Sequence, residues 1–271
     1  MSMPKTFQLM RRNQRDRRRL LRGAVAAAGA AALTGCDRLS GNEGFVDALK
    51  SAQKLSRAAQ KLVAPRPAMA QEFEQRQVPK TFRSNGTLEP ADADYQALMK
   101  AGFAGYTLRV GGLVEKPAEY TLAQLRAMPS RTQITRHDCV EGWSCIGKWK
   151  GVPLSLLLQD VRPTAKARFV LFRCYDSMDA ASTDEDDDSH YYESIDLDDA
   201  HHPQTILAYD LNDQALPISN GAPLRCRVER QLGYKQAKYV RAIELIDSFA
   251  DIRGGNGGYW EDEGYEWYGG I

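Results

Sequence analysis

The chain has only four histidines in 271 residues and no Ser-His-Asp pattern, which leaves little supply for a zinc hydrolase or a serine-type triad. It contains no Cys-x-x-Cys pair, no Cys-x-x-Cys-His haem attachment sequence, no iron–sulfur cysteine set and no flavin fingerprint. It also lacks any apolar run approaching the roughly 20 residues that a permanent membrane helix requires. Apolar residues at 43% and charged residues at 26% are ordinary for a globular protein, and the length suits one domain of moderate size.

What is present begins with an export pattern. Asp16-Arg17-Arg18-Arg19-Leu20-Leu21-Arg22 precedes an Ala-rich, uncharged stretch at 23–35, which reads as a twin-arginine secretion signal with Arg17-Arg18 as the pair. Leu33-Thr34-Gly35-Cys36 closes that stretch as a lipobox, so the expectation is a periplasmic protein with a lipid anchor at Cys36. Ordinary cleavage nearby would leave a soluble periplasmic protein instead. Residues 1–35 carry eight Lys+Arg and one Asp; the remaining 236 residues hold 28 basic and 34 acidic side chains, a formal charge of −6. Nothing in that balance offers the clustered basic surface that nucleic acid requires.

Residues 36–80 read as a tether with some helix around 44–63, broken by Pro65, Pro67 and Pro79. Order is expected from Thr81, giving a domain at 81–271. Residues 106–110 alternate as a strand does, and Gly111-Gly112 end it or form a bulge. Thr121 with Gln124 is a capping-box pattern for a helix that buries Leu122, Leu125 and Met128 before Pro129. Strands are expected at 131–135, 169–172, 206–209 and 239–246, with Ser155 as the N-cap of a helix through Leu156-Leu157-Leu158. Short strands and short helices without a βαβ rhythm indicate an α+β domain with mixed or mostly antiparallel sheets. The acidic run at 184–188 lacks the Gly turn and terminal Glu of an EF-hand and reads as a solvated loop. The aromatic stretch at 254–271 is expected to fold back over the domain.

Two polar segments carry the chemistry. Cys139 sits in Thr135-Arg136-His137-Asp138-Cys139-Val140-Glu141-Gly142-Trp143-Ser144, where Arg136 and His137 are expected to favour a thiolate, a soft metal ligand. A zinc site from His137, Cys139 and Cys145 has unusual spacing. Downstream, Arg225, Gly233-Tyr234-Lys235 and Lys238 offer cationic donors and a close-approach glycine for a phosphate, and Asn220 an amide for a heterocycle edge. Without Cys139 the same cluster would read as a basic surface strand pair.

Cys139-Val140-Glu141-Gly142-Trp143-Ser144 with Trp149-Lys150-Gly151-Val152-Pro153-Leu154 resembles the molybdenum-ligating segment of the sulfite oxidase superfamily. It is closest to the bacterial exported branch that includes methionine-sulfoxide reductase catalytic subunits. Asn220-Gly221-Ala222-Pro223-Leu224-Arg225 with Gly233-Tyr234-Lys235-Gln236-Ala237-Lys238 resembles the second cofactor-binding segment of that family. The resemblance spans roughly residues 81–271 and implies a sulfite-oxidase-type molybdopterin-binding domain. It implies Cys139 as the molybdenum ligand of a molybdenum–molybdopterin cofactor, with Asn85, Cys174, Asn220, Arg225, Gln236, Ala237 and Lys238 as cofactor contacts and Arg83 in the substrate pocket. Glu141 stands either as a proton relay or as a carboxylate that orients the Cys139 loop.

The implied activity is two-electron oxygen-atom transfer, with reduction of an S-oxide or N-oxide favoured because a sulfite pocket would need more cations than Arg83 and Arg136. A small oxidised or oxidisable substrate would exchange electrons through a separate protein, a membrane cytochrome or a c-type cytochrome. The chain ends soon after the cofactor segments, so a monomeric catalytic subunit is expected. The competing readings are a sulfite-oxidising dehydrogenase and a non-catalytic envelope lipoprotein with Cys139 in a disulfide. A cofactor inserted in the cytoplasm requires export of a folded protein, which the twin-arginine signal would serve.

Overall fold

The computed structural model describes residues 68–178 and 189–271, together with Asn42, Gly44, Leu55 and Ala59. The secretion signal, Cys36 and the 184–188 acidic run lie outside the described residues. The chain divides into Met1–Ala59 and Gln60–Ile271, and the architecture that follows is that of the second unit.

In chain order its elements are α1 (Ala93–Lys100), β1 (Thr107–Gly112), β2 (Ala118–Thr121), α2 (Leu122–Ala127), β3 (Arg131–Asp138), β4 (Ser144–Pro153), α3 (Leu154–Val161), β5 (Phe169–Ser177), β6 (His190–Asp196), α4 (Leu197–Ala200), β7 (Ile206–Leu211), β8 (Gln214–Ala215), β9 (Arg225–Arg227), β10 (Val240–Ile246) and α5 (Tyr259–Asp262). One sheet runs β2-β1-β10-β5-β6, and the other β3-β4-β7-β8 with β9 also on β7. Only β1 with β10 is parallel among these pairs; the rest are antiparallel. The α+β class with mixed sheets is as the element pattern indicated.

Both sheets contribute to one core. Leu108, Phe172 and Ile243 from the first meet Val152, Leu207 and Tyr209 from the second. Between them α3 inserts Leu154, Leu157, Leu158 and Val161, the i, i+3, i+4, i+7 spacing that places four side chains on one helix face. The α2 capping box forms as read, with Gln124 N–H donating to Thr121 Oγ1 at 3.2 Å. α3 begins earlier than its Ser155 reading. β4 stays paired with β7 through Pro153, Leu154 N–H donates to Thr205 O at 3.0 Å, and Ser155 falls inside the first helical turn.

Packing also begins before Thr81. Phe73 N–H donates to Ile134 O at 2.8 Å, Ala70 N–H to Gln204 Oε1 at 2.8 Å, and Glu72 pairs with Arg131, so residues 68–73 lie along β3 and are not free tether. At the other end, β6 is buried along its whole length because the C-terminal segment covers it. Gly258 bridges Glu193, and Trp267 Nε1 donates to Ser194 Oγ at 2.8 Å. No helix among the described residues is long and apolar enough to cross a membrane.

β4 and β7 approach so closely at Gly151 that an added Cβ would stand 2.2 Å from Leu207 O and 2.6 Å from Ala208 Cα. Both neighbours are backbone and cannot swing aside. Gly151→Ala is therefore expected to cost about 1–3 kcal/mol or more of unfolding free energy, read as a lowered urea midpoint at unchanged slope.

Candidate cofactor site

The β3–β4 hairpin ends in a tight loop that presents Cys139. Cys139 N–H donates to Trp143 O at 2.9 Å and Gly142 N–H to Cys139 O at 3.0 Å, a turn that holds Gly142 at φ +83° where glycine carries no steric penalty. Beside Cys139 opens a cavity of about 160 Å³. Its walls come from six stretches of the chain: Asn85, Gly86 and Thr87; the Cys139 loop; Asp176 and Met178 at the end of β5; Tyr191 of β6; Gly233, Tyr234, Gln236 and Lys238; and the aromatic Trp260 and Tyr265. The two polar segments singled out in the sequence thus meet, as does the Asn85 segment. Gly233 permits the meeting, since a Cβ there would come 2.4 Å from His137 Nε2.

Behind the Cys139 loop lies a buried charged cluster. Glu229 accepts from Arg227 Nε at 2.9 Å and from its second terminal nitrogen at 2.6 Å, and from Gln133 Nε2 at 2.8 Å. The other Arg227 terminal nitrogen lies 3.0 Å from His137 Nδ1. A guanidinium only donates, so this contact assigns His137 Nδ1 as acceptor and places the imidazole hydrogen on Nε2. Burial first, then Arg227 and Arg225, hold the His137 pKa well below its ordinary value, so the ring is neutral. Arg136 pairs with Asp138 at 2.8 Å on the exposed side. Neither basic neighbour therefore promotes a Cys139 thiolate, contrary to the expectation from their order in the chain. Burial instead raises the Cys139 thiol pKa. A coordinated metal ion deprotonates a thiol outright.

The remaining candidates separate into lining and bracing residues. Asn85, Glu141, Gln236 and Lys238 reach the cavity. Lys238 Nζ donates to the carbonyls of Asn85 at 2.7 Å, Ser219 at 2.9 Å and Thr87, so it binds the Asn85 segment to the Asn220 segment. Asn220 is buried behind the lining with its Nδ2 donating to Ser84 Oγ at 3.1 Å. Arg225, wholly buried, donates to Asn220 O at 3.0 Å and Gln236 O at 3.3 Å, tying the two halves of the second motif together. Ala237 packs in the core and accepts at its carbonyl from Cys226 N–H at 2.8 Å. Cys174 is also a core residue; the β5 residue at the cavity is Asp176, two further along the same face. Arg83 is exposed at the rim, 4.6 Å over the Trp143 ring and 4.0 Å from Glu141 Oε2, while Trp143 Nε1 donates to that same oxygen at 2.8 Å. All four described cysteines are free thiols, so Cys139 is in no disulfide. The described residues contain no group of three or more His, Cys, Asp or Glu that could hold a metal by themselves.

Sequence reasoning missed Asp176, Met178 and Tyr191; inward alternation continued along β5 and into β6 is the signal that could have found them.

The residues fit a molybdopterin. Asn85 Oδ1 and Asp176 Oδ1 line the cavity buried and without a hydrogen-bond partner among the described residues. Each such acceptor costs about 1–3 kcal/mol unless a ligand donates to it, and the N–H edge of a pterin supplies such donors. Lys238 and Arg225 supply positive charge for a phosphate. Burial first and then Arg225 push the Lys238 pKa down to about 7, and burial raises that of Asp176 to about 6. Unfolded lysine keeps its proton to about pH 10.4, so between about pH 7 and that value the unfolded state binds more protons and Lys238 adds stability as pH rises. In cofactor-free protein, wild-type stability should climb relative to Lys238→Met by up to about 1.4 kcal/mol per pH unit across that window, measured by urea unfolding.

Residues 96–251 match the family described as "Oxidoreductase molybdopterin binding domain". The putative protein-methionine-sulfoxide reductase subunit YedZ1 of Azospira oryzae is 34% identical over 94% of this chain and 87% of its own length. The protein-methionine-sulfoxide reductase catalytic subunit MsrP of Xanthomonas axonopodis pv. citri is 35% identical over 54% of this chain and 46% of its own. The sulfane dehydrogenase SoxCD of Paracoccus pantotrophus covers 55% of this chain and 40% of its own with a TM-score of 0.47 at 23% identity. The family match spans more than half of the chain, and a relative aligns along nearly all of it: this chain belongs to the molybdopterin-binding oxidoreductases and is an enzyme of that family.

Proposed function

We propose that this enzyme reduces a neutral S-oxide, with methionine sulfoxide as the first substrate to examine, in the cell envelope. The observation that carries the reading is the shortage of cations at the cavity. Among the described residues Lys238 is the only Lys or Arg that lines it, and its three donors are spent on carbonyls. Sulfite would need a basic anion pocket, whereas Val140, Met178, Tyr191, Trp260 and Tyr265 present apolar and aromatic surface suited to a thioether and its oxide. The names of the two curated relatives point the same way.

Bound molybdenum–molybdopterin would supply two-electron redox chemistry with oxygen-atom transfer. Cys139 would present its sulfur to the metal from a loop that the Cys139–Trp143 backbone bonds hold in shape. Asn85 and Asp176 would accept from the pterin, Gln236 would line it, and the Gly233 backbone would receive its phosphate end, which the positive charge of Lys238 and of the buried Arg225 would favour without direct contact from Arg225. Glu141 orients the loop: its carboxylate receives the Trp143 indole N–H and faces Arg83 across the cavity rim. The sequence carries no second redox centre of its own, so a membrane or c-type cytochrome would deliver electrons. Export by the twin-arginine route with a lipid anchor at Cys36 would place the enzyme at the periplasmic face of a membrane.

Protein purified from the envelope fraction of a host competent in cofactor synthesis should contain molybdenum equimolar with the chain and reduce methionine sulfoxide but not oxidise sulfite. Folded protein free of molybdenum would overturn the reading. Cys139→Ala should abolish turnover with an unchanged unfolding midpoint. Glu141→Gln, whose amide oxygen still accepts the Trp143 N–H, should leave kcat and its pH dependence near wild type; a proton-donating Glu141 would instead cost about 10²-fold or more.

A further inference from the structure

Lys235, Glu193 and Glu261 lie wholly out of solvent behind the aromatic wall of the cavity, and the ammonium donates to Oε1 of both carboxyl groups. If all three were charged, a net negative charge would remain in an apolar interior that opposes it. Lys235 balances one carboxylate, and the proton of the other has an acceptor only at Glu193: Tyr191 gives its own hydrogen to Tyr234 O and its oxygen faces Glu193 Oε2, whereas Glu261 Oε2 has no partner among the described residues. Glu193 Oε1 already accepts the Ser194 N–H at 2.7 Å, and Oε2 lies 3.5 Å from Tyr191 Oη. Burial first, then Glu261, hold the Glu193 pKa well above the carboxylate range in spite of Lys235. The other titratable groups facing it are Tyr191 on its own strand, Tyr234 on the Gly233–Lys235 turn, and the neutral thiols of Cys174 on β5 and Cys226 on β9. Tyr191 in turn lines the cavity, with its hydroxyl held against Tyr234 O.

We propose that Glu193 is a proton store for the reduction and that Tyr191 passes its proton into the cavity. The proposal rests on the reductase reading. Reducing an S-oxide to a thioether takes two electrons from the separate electron-transfer protein and two protons, and releases the oxygen as water. One proton moves from the Tyr191 hydroxyl to that oxygen and is replaced from the Glu193 carboxyl; the second comes from solvent once the thioether has left the cavity mouth. Glu193, then ionised beside Lys235, is reprotonated from solvent between turnovers. A substrate seated in the cavity mouth shuts out bulk water, and a stored proton on the inner wall remains available. Glu193 acts through Tyr191 and is a positioning residue; Tyr191 is the group that meets the substrate.

Glu193→Gln replaces one neutral group with another and leaves the Lys235–Glu261 pair intact, so the variant should fold. Infrared spectroscopy of the holoenzyme at neutral pH, without substrate, should show the C=O stretch of a protonated buried carboxyl. The band should vanish in Glu193→Gln and persist in Tyr191→Phe. Glu193→Gln and Tyr191→Phe should each lower kcat about 10²-fold at unchanged KM, and the double variant should fall no further. Wild-type kcat should decline as pH rises through the Glu193 titration, a limb that Glu193→Gln loses. A band that survives Glu193→Gln, an unchanged kcat, or losses that multiply in the double variant would each overturn the proposal. Because the band is read without substrate, its failure is separable from a failure to reduce S-oxides.

Discussion

Two guanidinium groups share one buried indole. Arg227 lies 4.3 Å and Arg225 5.2 Å from the Trp149 ring centroid, and all three side chains are sealed from water. Cation–π attraction in such a desolvated setting reaches about 2 kcal/mol or more, yet it cannot cancel the repulsion between two like charges. Glu229 neutralises Arg227, whereas Arg225 has only carbonyl partners. A surplus of positive charge is therefore fixed behind the cavity, and it adds to burial, the larger cause, in keeping His137 neutral and in lowering the Lys238 pKa. An anionic group brought to that surface relieves the imbalance, which is the electrostatic reason a phosphate-bearing cofactor belongs there. Phe82 closes the stack edge-on at 4.9 Å, and Gly147 must lack a side chain because a Cβ would come 2.9 Å from both rings.

Local chemistry was legible where a short stretch of chain decides the outcome. Thr121 and Gln124 cap each other across three residues, and no distant contact can make or break that arrangement. The strand into Cys139 was readable as a contiguous alternating run, and the two cofactor segments, each open to a second use when taken alone, became readable through their joint resemblance to a known family. The long strand β4 was not read, since Cys145, Gly147 and Gly151 interrupt its alternation. Those glycines answer neighbours, Phe82 in one case and the β7 backbone in the other, that only the fold supplies.

The same limit governs the electrostatics. Arg136-His137-Asp138-Cys139 looks like a basic setting for a thiol, but alternation along β3 sends Arg136 out to Asp138 and turns His137 inward against Arg227. Position in the chain predicted proximity, and burial reversed its sign. Glu193, Lys235 and Glu261 are separated by 42 and 26 residues and belong to unrelated stretches of sequence, so no motif could announce that their charges must be balanced together.

The parallel pairing of β1 with β10 has a consequence for biogenesis. Its partners, such as Arg109 with Ala242, stand far apart in the chain, and Lys238 just ahead of β10 ties down the Asn85 segment that precedes β1. A ribosome must release the chain as far as β10 before either contact can form, and long-range pairings of this kind are slow to close. The cofactor pocket is thus among the last parts of the molecule to exist. An insertion machinery acting before β10 has emerged would find no pocket to load, so loading follows the pairing of β10 with β1.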